Sequence, residues 1–201
     1  MIITKADVVN ANRHLTAQEG YMNAYYVVAW FLHYNLASLE AACAIAGNAI
    51  HEIHCNPGGS EGHVEPPDPS RGYGILQWTP CSTKIFAYAS NVGKPVNDID
   101  TQLEYIIWQA NNGHGYYAQP EYPVPATYLD FLASTLNVDY LARAFCWNAE
   151  KRNPSQSSED DRADQATYMY NWCLGDPPEL VIPDVLGSKM PLYMMWLAAT
   201  R

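Results

Sequence analysis

Gly47-Asn48-Ala49-Ile50-His51-Glu52-Ile53-His54-Cys55-Asn56-Pro57 is the stretch on which the reading of the fold turns. It closes an alanine-rich run, Leu39 to His54, that reads as a buried helix. Ser38 is a suitable N-cap, Glu40 suits the positive end of the helix dipole, and Asn56-Pro57-Gly58-Gly59 stops the helix. Glu52 therefore falls in the last turn of an apolar helix. Burial among Ile50, Ile53 and the alanines disfavours a charged carboxylate, and so does the negative end of the helix dipole. Both effects make Glu52 a candidate proton donor near neutral pH, as cleavage of a glycosidic bond requires. Taken singly, a glutamate at a helix end is more often half of an ion pair.

Working outward, a polar loop over residues 58–71 leads to Gly72-Tyr73-Gly74-Ile75-Leu76-Gln77-Trp78, whose glycines suit a short strained strand or hairpin limb. Upstream, Tyr25, Val28, Ala29 and Leu32 recur at helical spacing within Tyr21 to Tyr34, and Asn35 is a plausible stop. Downstream the pattern predicts helices over Thr83–Ala89, Thr101–Gln109 (capped by Asp98 or Asp100), Thr127–Ser134, from Asn137 or Asp139 to Lys151, and from a Ser157 cap to Gly175. The expected class is mainly α (α+β), a helical domain with a small β element lining a cleft. The expected organisation is an arm over residues 1–19, one domain over 20–175, and a linker with an apolar segment over 176–201. Met190 to Ala198 is too short to cross a bilayer and too apolar for water, so a docking role, on this domain or on a neighbouring protein through residues 189–198, is expected.

The 201 residues suffice for one packed core. A net charge of −10 argues against nucleic acid as a partner, because phosphates require Lys and Arg, and against unaided capture on an anionic surface. No apolar run approaches the length of a membrane span. The five cysteines, at 43, 55, 81, 146 and 173, are odd in number and include no Cys-x-x-Cys, which favours reduced, buried thiols. The N-terminus lacks the layout of a secretory signal, so delivery by another route is expected.

Tyr73-Gly74-Ile75-Leu76-Gln77 resembles the run on the small sheet of animal c-type lysozymes, and the whole arrangement resembles the phage tail lysozyme family more closely. Members of that family carry Gly-Asn-x-x-x-Glu-Ser-x-x-Asn-Pro, then Gly-Tyr-Gly-(Ile/Leu)-x-Gln-Trp, then Gln-Leu on a helix, then Phe followed by an aromatic-Glu-Arg element. Here the matching residues are Gly47-Asn48, Glu52, Asn56-Pro57, Gly72 to Trp78, Gln102-Leu103, and Phe145 with Glu150. Three departures stand out: Ile53 replaces the serine, Ala149 replaces the aromatic, and Lys151 separates Glu150 from Arg152. The resemblance spans residues 20 to 175. It implies a lysozyme-like fold and cleavage of the β-1,4 bond between N-acetylmuramic acid and N-acetylglucosamine, with Glu52 as general acid. It also implies that Asn56, Tyr73, Gln77, Trp78 and Glu150 contact substrate, with Tyr116 or Tyr117 as further flat faces. Each aromatic singly is as well explained by the core.

The second carboxylate is open. An aspartate precedes the Tyr-Gly-Ile-Leu-Gln run in c-type lysozymes, and here Gly72 holds that place, which does not support a covalent mechanism. Among the loop acids Glu61, Glu65 and Asp68, Asp68 lies nearest the glycine run and is the candidate base. A single-glutamate site, hydrolase or lytic transglycosylase, is the alternative. The cluster His51, His54, Cys55 and His63 lacks the spacing of a zinc motif, and Cys55 with His63 lacks the setting of a cysteine peptidase. No cofactor and no metal is expected. The implied partners are peptidoglycan glycan strands and other phage tail proteins. The implied place is the virion, after synthesis in the bacterial cytoplasm. A free endolysin and a non-catalytic sugar-binding tail module are the competing readings.

Overall fold

The computed structural model describes residues 1–63, 66–150, 154–176 and 179–181. The expectations placed on Glu65, Lys151, Arg152 and the apolar run Met190 to Ala198 fall outside those residues.

Helix α1 (Ala17–His33) starts on a reciprocal cap. The Thr16 hydroxyl accepts from the Glu19 amide at 3.2 Å, and the Glu19 carboxylate accepts from the Thr16 amide at 2.8 Å. Its close is sharp because Asn35 takes a left-handed conformation, φ 52°. Helix α2 (Leu39–Ile53) is capped by Ser38, whose hydroxyl accepts from the Ala41 amide at 3.0 Å. Every residue of α2 from Ala41 to Ile50 is buried. A helix apolar all round belongs in the centre of a domain, and α2 is enclosed by α1, by α6 (Val138–Phe145) and, most extensively, by α7 (Gln156–Gly175). Glycine sets the closeness of that last contact: a Cβ on Gly47 would lie 2.5 Å from the backbone nitrogen of Ala166.

Around this centre stand α3 (Ile85–Val92), α4 (Ile99–Asn111) and α5 (Tyr128–Ala133), with caps at Asp98 and Thr127. Helix α6 does not continue regularly to residue 151. It widens into a π turn over Cys146–Glu150. The cap of α7 is Ser155 rather than Ser157, accepting from the Ser158 amide at 3.3 Å.

The β structure differs from expectation. Gly72 to Trp78 forms consecutive turns, and its one ladder contact is an isolated antiparallel bridge from Tyr73 to Ser60. Turns prevail because Gly74 and Gln77 both take positive φ, +80° and +45°, which a strand does not allow. Among the described residues the sheet is instead made where β1 (Ile2–Ile3) pairs in parallel with β2 (Glu179–Leu180), the stretch that follows α7. Ile3 and Leu180 are buried, and the N-terminal ammonium lies 2.6 Å from Asp176. The structure thus draws the start of the arm and residues 179–181, read from sequence as tether, onto the helical domain. All five cysteines are buried and free.

Candidate active site

The end of α2, the π turn after α6 and the first turns of α7 meet at one arginine. Arg162 is 2 % exposed. Its Nη2 donates to Oε1 of Glu52, and its Nη1 lies 2.9 Å from Oε2 of Glu150. The same Nη1 also reaches the carbonyl and the side-chain oxygen of Asn48, both at 3.4 Å. Asn48 is itself fixed, donating to the carbonyls of Ala44 at 2.9 Å and Ala142 at 3.0 Å. Local sequence explains the meeting. Gly47 lets α7 come close, and Arg162 lies one turn before Ala166, level with the last turns of α2.

The two glutamates are not equivalent. Glu52 keeps 23 % of its side chain exposed, against 6 % for Glu150. The burial expected of Glu52 is stronger at Glu150, whose pKa is pushed up to about 8, first by burial and further by the charge of Glu52, against the opposing pull of Arg162. Although Arg162 is within ion-pair distance, neither oxygen of Glu150 takes an aligned hydrogen bond among the described residues. Distance therefore overstates that contact, and the neutral carboxyl is the form this setting favours.

Glu150 also lies in the wall of a cleft of about 450 Å³. Gln77, Trp78, Tyr105, Trp108 and Tyr117 line the same cleft. Trp78 packs edge-on against Tyr105 at 5.3 Å, and Tyr105 stacks on Trp108 at 5.7 Å; Trp78 and Tyr105 are buried, and Trp108 is the exposed ring of the three. Gln77 donates from Nε2 to the carbonyls of Gly59 at 3.1 Å and Gly74 at 2.9 Å. Beneath this segment Gln102 acts as a strut. Its Oε1 accepts from the Ile75 amide at 2.9 Å, and its Nε2 donates to the carbonyls of Pro57 at 2.7 Å and Val96 at 2.8 Å. A Cβ on Gly74 would lie 2.7 Å from that Oε1, so the close approach requires glycine.

The remaining expected residues have other surroundings. Asn56 is fully buried and fastens the N-terminal segment, donating to the carbonyls of Ala11 at 2.6 Å and Arg13 at 2.9 Å. Tyr73 is buried, edge-on to Phe86 at 5.0 Å. Asp68 accepts from the amide and hydroxyl of Ser70 at 2.9 and 2.7 Å, an exposed turn contact that holds its carboxyl below the usual range. Of the expected residues Gln77, Trp78 and Glu150 line the cleft; Glu52, Asn56, Tyr73 and Asp68 do not, and Glu52 adjoins it through Arg162 and Glu150. Tyr116 is buried against Tyr128, while Tyr117 is half exposed on the cleft.

The rival chemistries lose ground on geometry. Cys55 is fully buried and its thiol is pushed well above its ordinary value, the reverse of what a nucleophilic thiolate needs. His63 packs on His14 with ring centroids 4.0 Å apart. Among the described residues no three His, Cys, Asp or Glu side chains gather to hold a metal ion.

Sequence reasoning missed Arg162, Tyr105 and Trp108. The signal for Arg162 was present: Glu159, Arg162, Ala163, Ala166, Met169 and Cys173 recur at helical spacing and form the buried stripe of α7. An arginine on such a stripe calls for buried carboxylates.

Comparison with known proteins adds two findings. The model of the phage tail lysozyme family matches residues 22–173. "Morphogenesis protein 1" of Bacillus phage B103 is 28 % identical over 164 residues, which cover 82 % of this chain and 42 % of that protein. The chain thus spans less than half the length of that relative.

Proposed function

The chain belongs to the phage tail lysozyme family, and from that premise we propose that it hydrolyses the β-1,4 bond between N-acetylmuramic acid and N-acetylglucosamine in peptidoglycan. The observation that carries the proposal is the convergence of Glu52 and Glu150 on buried Arg162 beside an aromatic cleft. In this reading the glycan lies against the exposed rings of Trp108 and Tyr117, whose faces suit the apolar faces of pyranoses. Glu52 is the catalytic residue, because it is the member of the pair whose side chain reaches solvent. Covering the site with substrate expels the water that favours charge, so the Glu52 carboxyl carries a proton in the loaded site. Glu52 gives the proton to the glycosidic oxygen as the bond to the anomeric carbon breaks. Water adds to that carbon and returns a proton, which balances the reaction as a hydrolysis.

Glu150 is a positioning residue in this scheme. It holds one side of Arg162, whose other amino group fixes where the Glu52 carboxyl points. Asp68 remains the proposed base for the water, although the turn at Ser70 occupies its Oδ1 in the free protein. Gly72 stands where an aspartate would be needed, and the proposal includes no covalent intermediate.

The kinship with phage tail lysozymes also supports a place in the virion, where an acidic protein held against the wall by its particle needs no long-range attraction to it. The direct test is release of reducing sugar ends from purified walls. Wild type releases them, and folded Glu52→Gln falls by at least about 10²-fold, the scale of general acid catalysis.

A further inference from the structure

Lys84 is set apart by what it lacks. Among the described residues, each of the other six lysines and arginines lies within 3.5 Å of a carboxylate, from Lys5 at Asp98 and Asp100 to Lys94 at Glu104. Lys84 has no such partner among them, in a chain of net charge −10. It stands between the turn Cys81–Thr83 and the start of α3.

Its position is the second observation. Lys84, Thr83, Tyr105 and Trp108 line the main cleft and also a neighbouring groove of about 380 Å³ between α3 and α4. The groove is completed by Ala87, Tyr88, Asn91 and Val92, and so is largely apolar. The Trp108 ring, 37 % exposed, is wall to both. The lysine is exposed by area, yet the crowding of its stem lowers the pKa of its ammonium by desolvation, with no compensating anion. An arriving carboxylate would supply that compensation.

The occupant of the groove must be continuous with whatever lies in the cleft, must tolerate apolar walls, and must bring a negative charge to Lys84. A bare N-acetylglucosamine strand has no charge. We propose that the α3–α4 groove receives the peptide stem hanging from the muramic acid residue of the strand in the main cleft, and that Lys84 binds a carboxylate of that stem. This rests on the muramidase reading and makes Lys84 a specificity-determining residue, one that favours stem-bearing wall over other N-acetylated glycans.

The test is calorimetric binding of three soluble probes to the full chain: a stem-bearing tetrasaccharide of peptidoglycan, the same strand stripped of its stem by an amidase, and an N-acetylglucosamine tetramer. Wild type should bind the stem-bearing probe tightest. Lys84→Met should weaken that probe about fivefold, the size of a partly exposed ion pair, and change the tetramer by less than about twofold. Lys84→Arg should restore most of the loss. Equal weakening of all three probes would overturn the inference, as would a wild-type preference for the stripped strand, which would make the lactyl carboxylate the ligand. Binding needs no bond cleavage, so the two readings fail separately. Stem-dependent binding without hydrolysis would sink the enzymatic reading alone. Hydrolysis with stem-independent binding would sink this one alone.

Discussion

A guanidinium nitrogen of Arg162 lies 2.9 Å from Oε2 of Glu150, yet neither carboxylate oxygen of Glu150 takes an aligned hydrogen bond among the described residues. That relationship makes Glu150 a buried acid rather than a firm ion-pair partner. It also leaves the other arm of Arg162 for Glu52. Three expectations follow from this geometry and from the packing that creates it.

Glu150 should impose a pH dependence on stability. Its folded value, about 8, stands above the ordinary 4.5. Below pH ~4.5 the group is neutral in folded and unfolded chains alike. Between that pH and about 8 the unfolded chain ionises first, so stability falls as pH rises; above about 8 the loss is complete. Thermal melts of wild type and Glu150→Gln across pH 5 to 8.5 check this. The wild-type Tm should decline more steeply, and parallel curves would contradict it.

Arg162→Met should be severe. It removes the one cation between two carboxylates, and breaking a buried ion pair from one side costs about 3–5 kcal/mol. Because Arg162 opposes the rise in Glu150, the same change should move the Glu150 titration further up. Urea unfolding and carboxyl carbon NMR measure the two effects. A loss of under ~1 kcal/mol with an unmoved titration would mean that Arg162 does not organise the site.

Gly47→Ala tests the packing that brings α7 to α2. The added methyl would meet the backbone of Ala166 at 2.5 Å, where nothing flexible can yield. Overpacking of this kind costs about 1–3 kcal/mol. Since Asn48 and Arg162 flank the contact, hydrolysis should fall together with stability in urea. An unchanged midpoint would show that the helices separate freely.

Much of the scaffold was legible in the sequence because caps and apolar periodicity are local. Ser38, Asp98 and Thr127 begin helices where short polar side chains precede apolar stripes, and Asn35 ends one in the left-handed region. The π turn at Cys146–Glu150 left no local trace. It is stabilised from a distance, where Asn148 donates to Tyr116 Oη at 3.0 Å and to the Tyr122 carbonyl at 2.9 Å. For the same reason the burial of the Glu150 side chain was not legible. The glycines of Gly72 to Trp78 were seen to loosen the backbone, but not that positive φ at Gly74 and Gln77 would replace a strand by turns. The pairing of Ile2–Ile3 with Glu179–Leu180 joins segments too far apart in the chain for any pattern to link. Asn56 illustrates the reverse case: its place in a recognisable motif suggested sugar contact, while its hydrogen bonds hold the chain's own backbone.

The measurement that bears most directly on the central claim is mass spectrometry of the fragments released from purified peptidoglycan, in water enriched in heavy oxygen, by wild type and by folded Glu52→Gln. The account predicts muropeptides ending in reducing N-acetylmuramic acid that carries one heavy oxygen, with release reduced by at least about 10²-fold in the variant. Anhydro-muramic ends, fragments cleaved only in the peptide, or undiminished release by Glu52→Gln would contradict it.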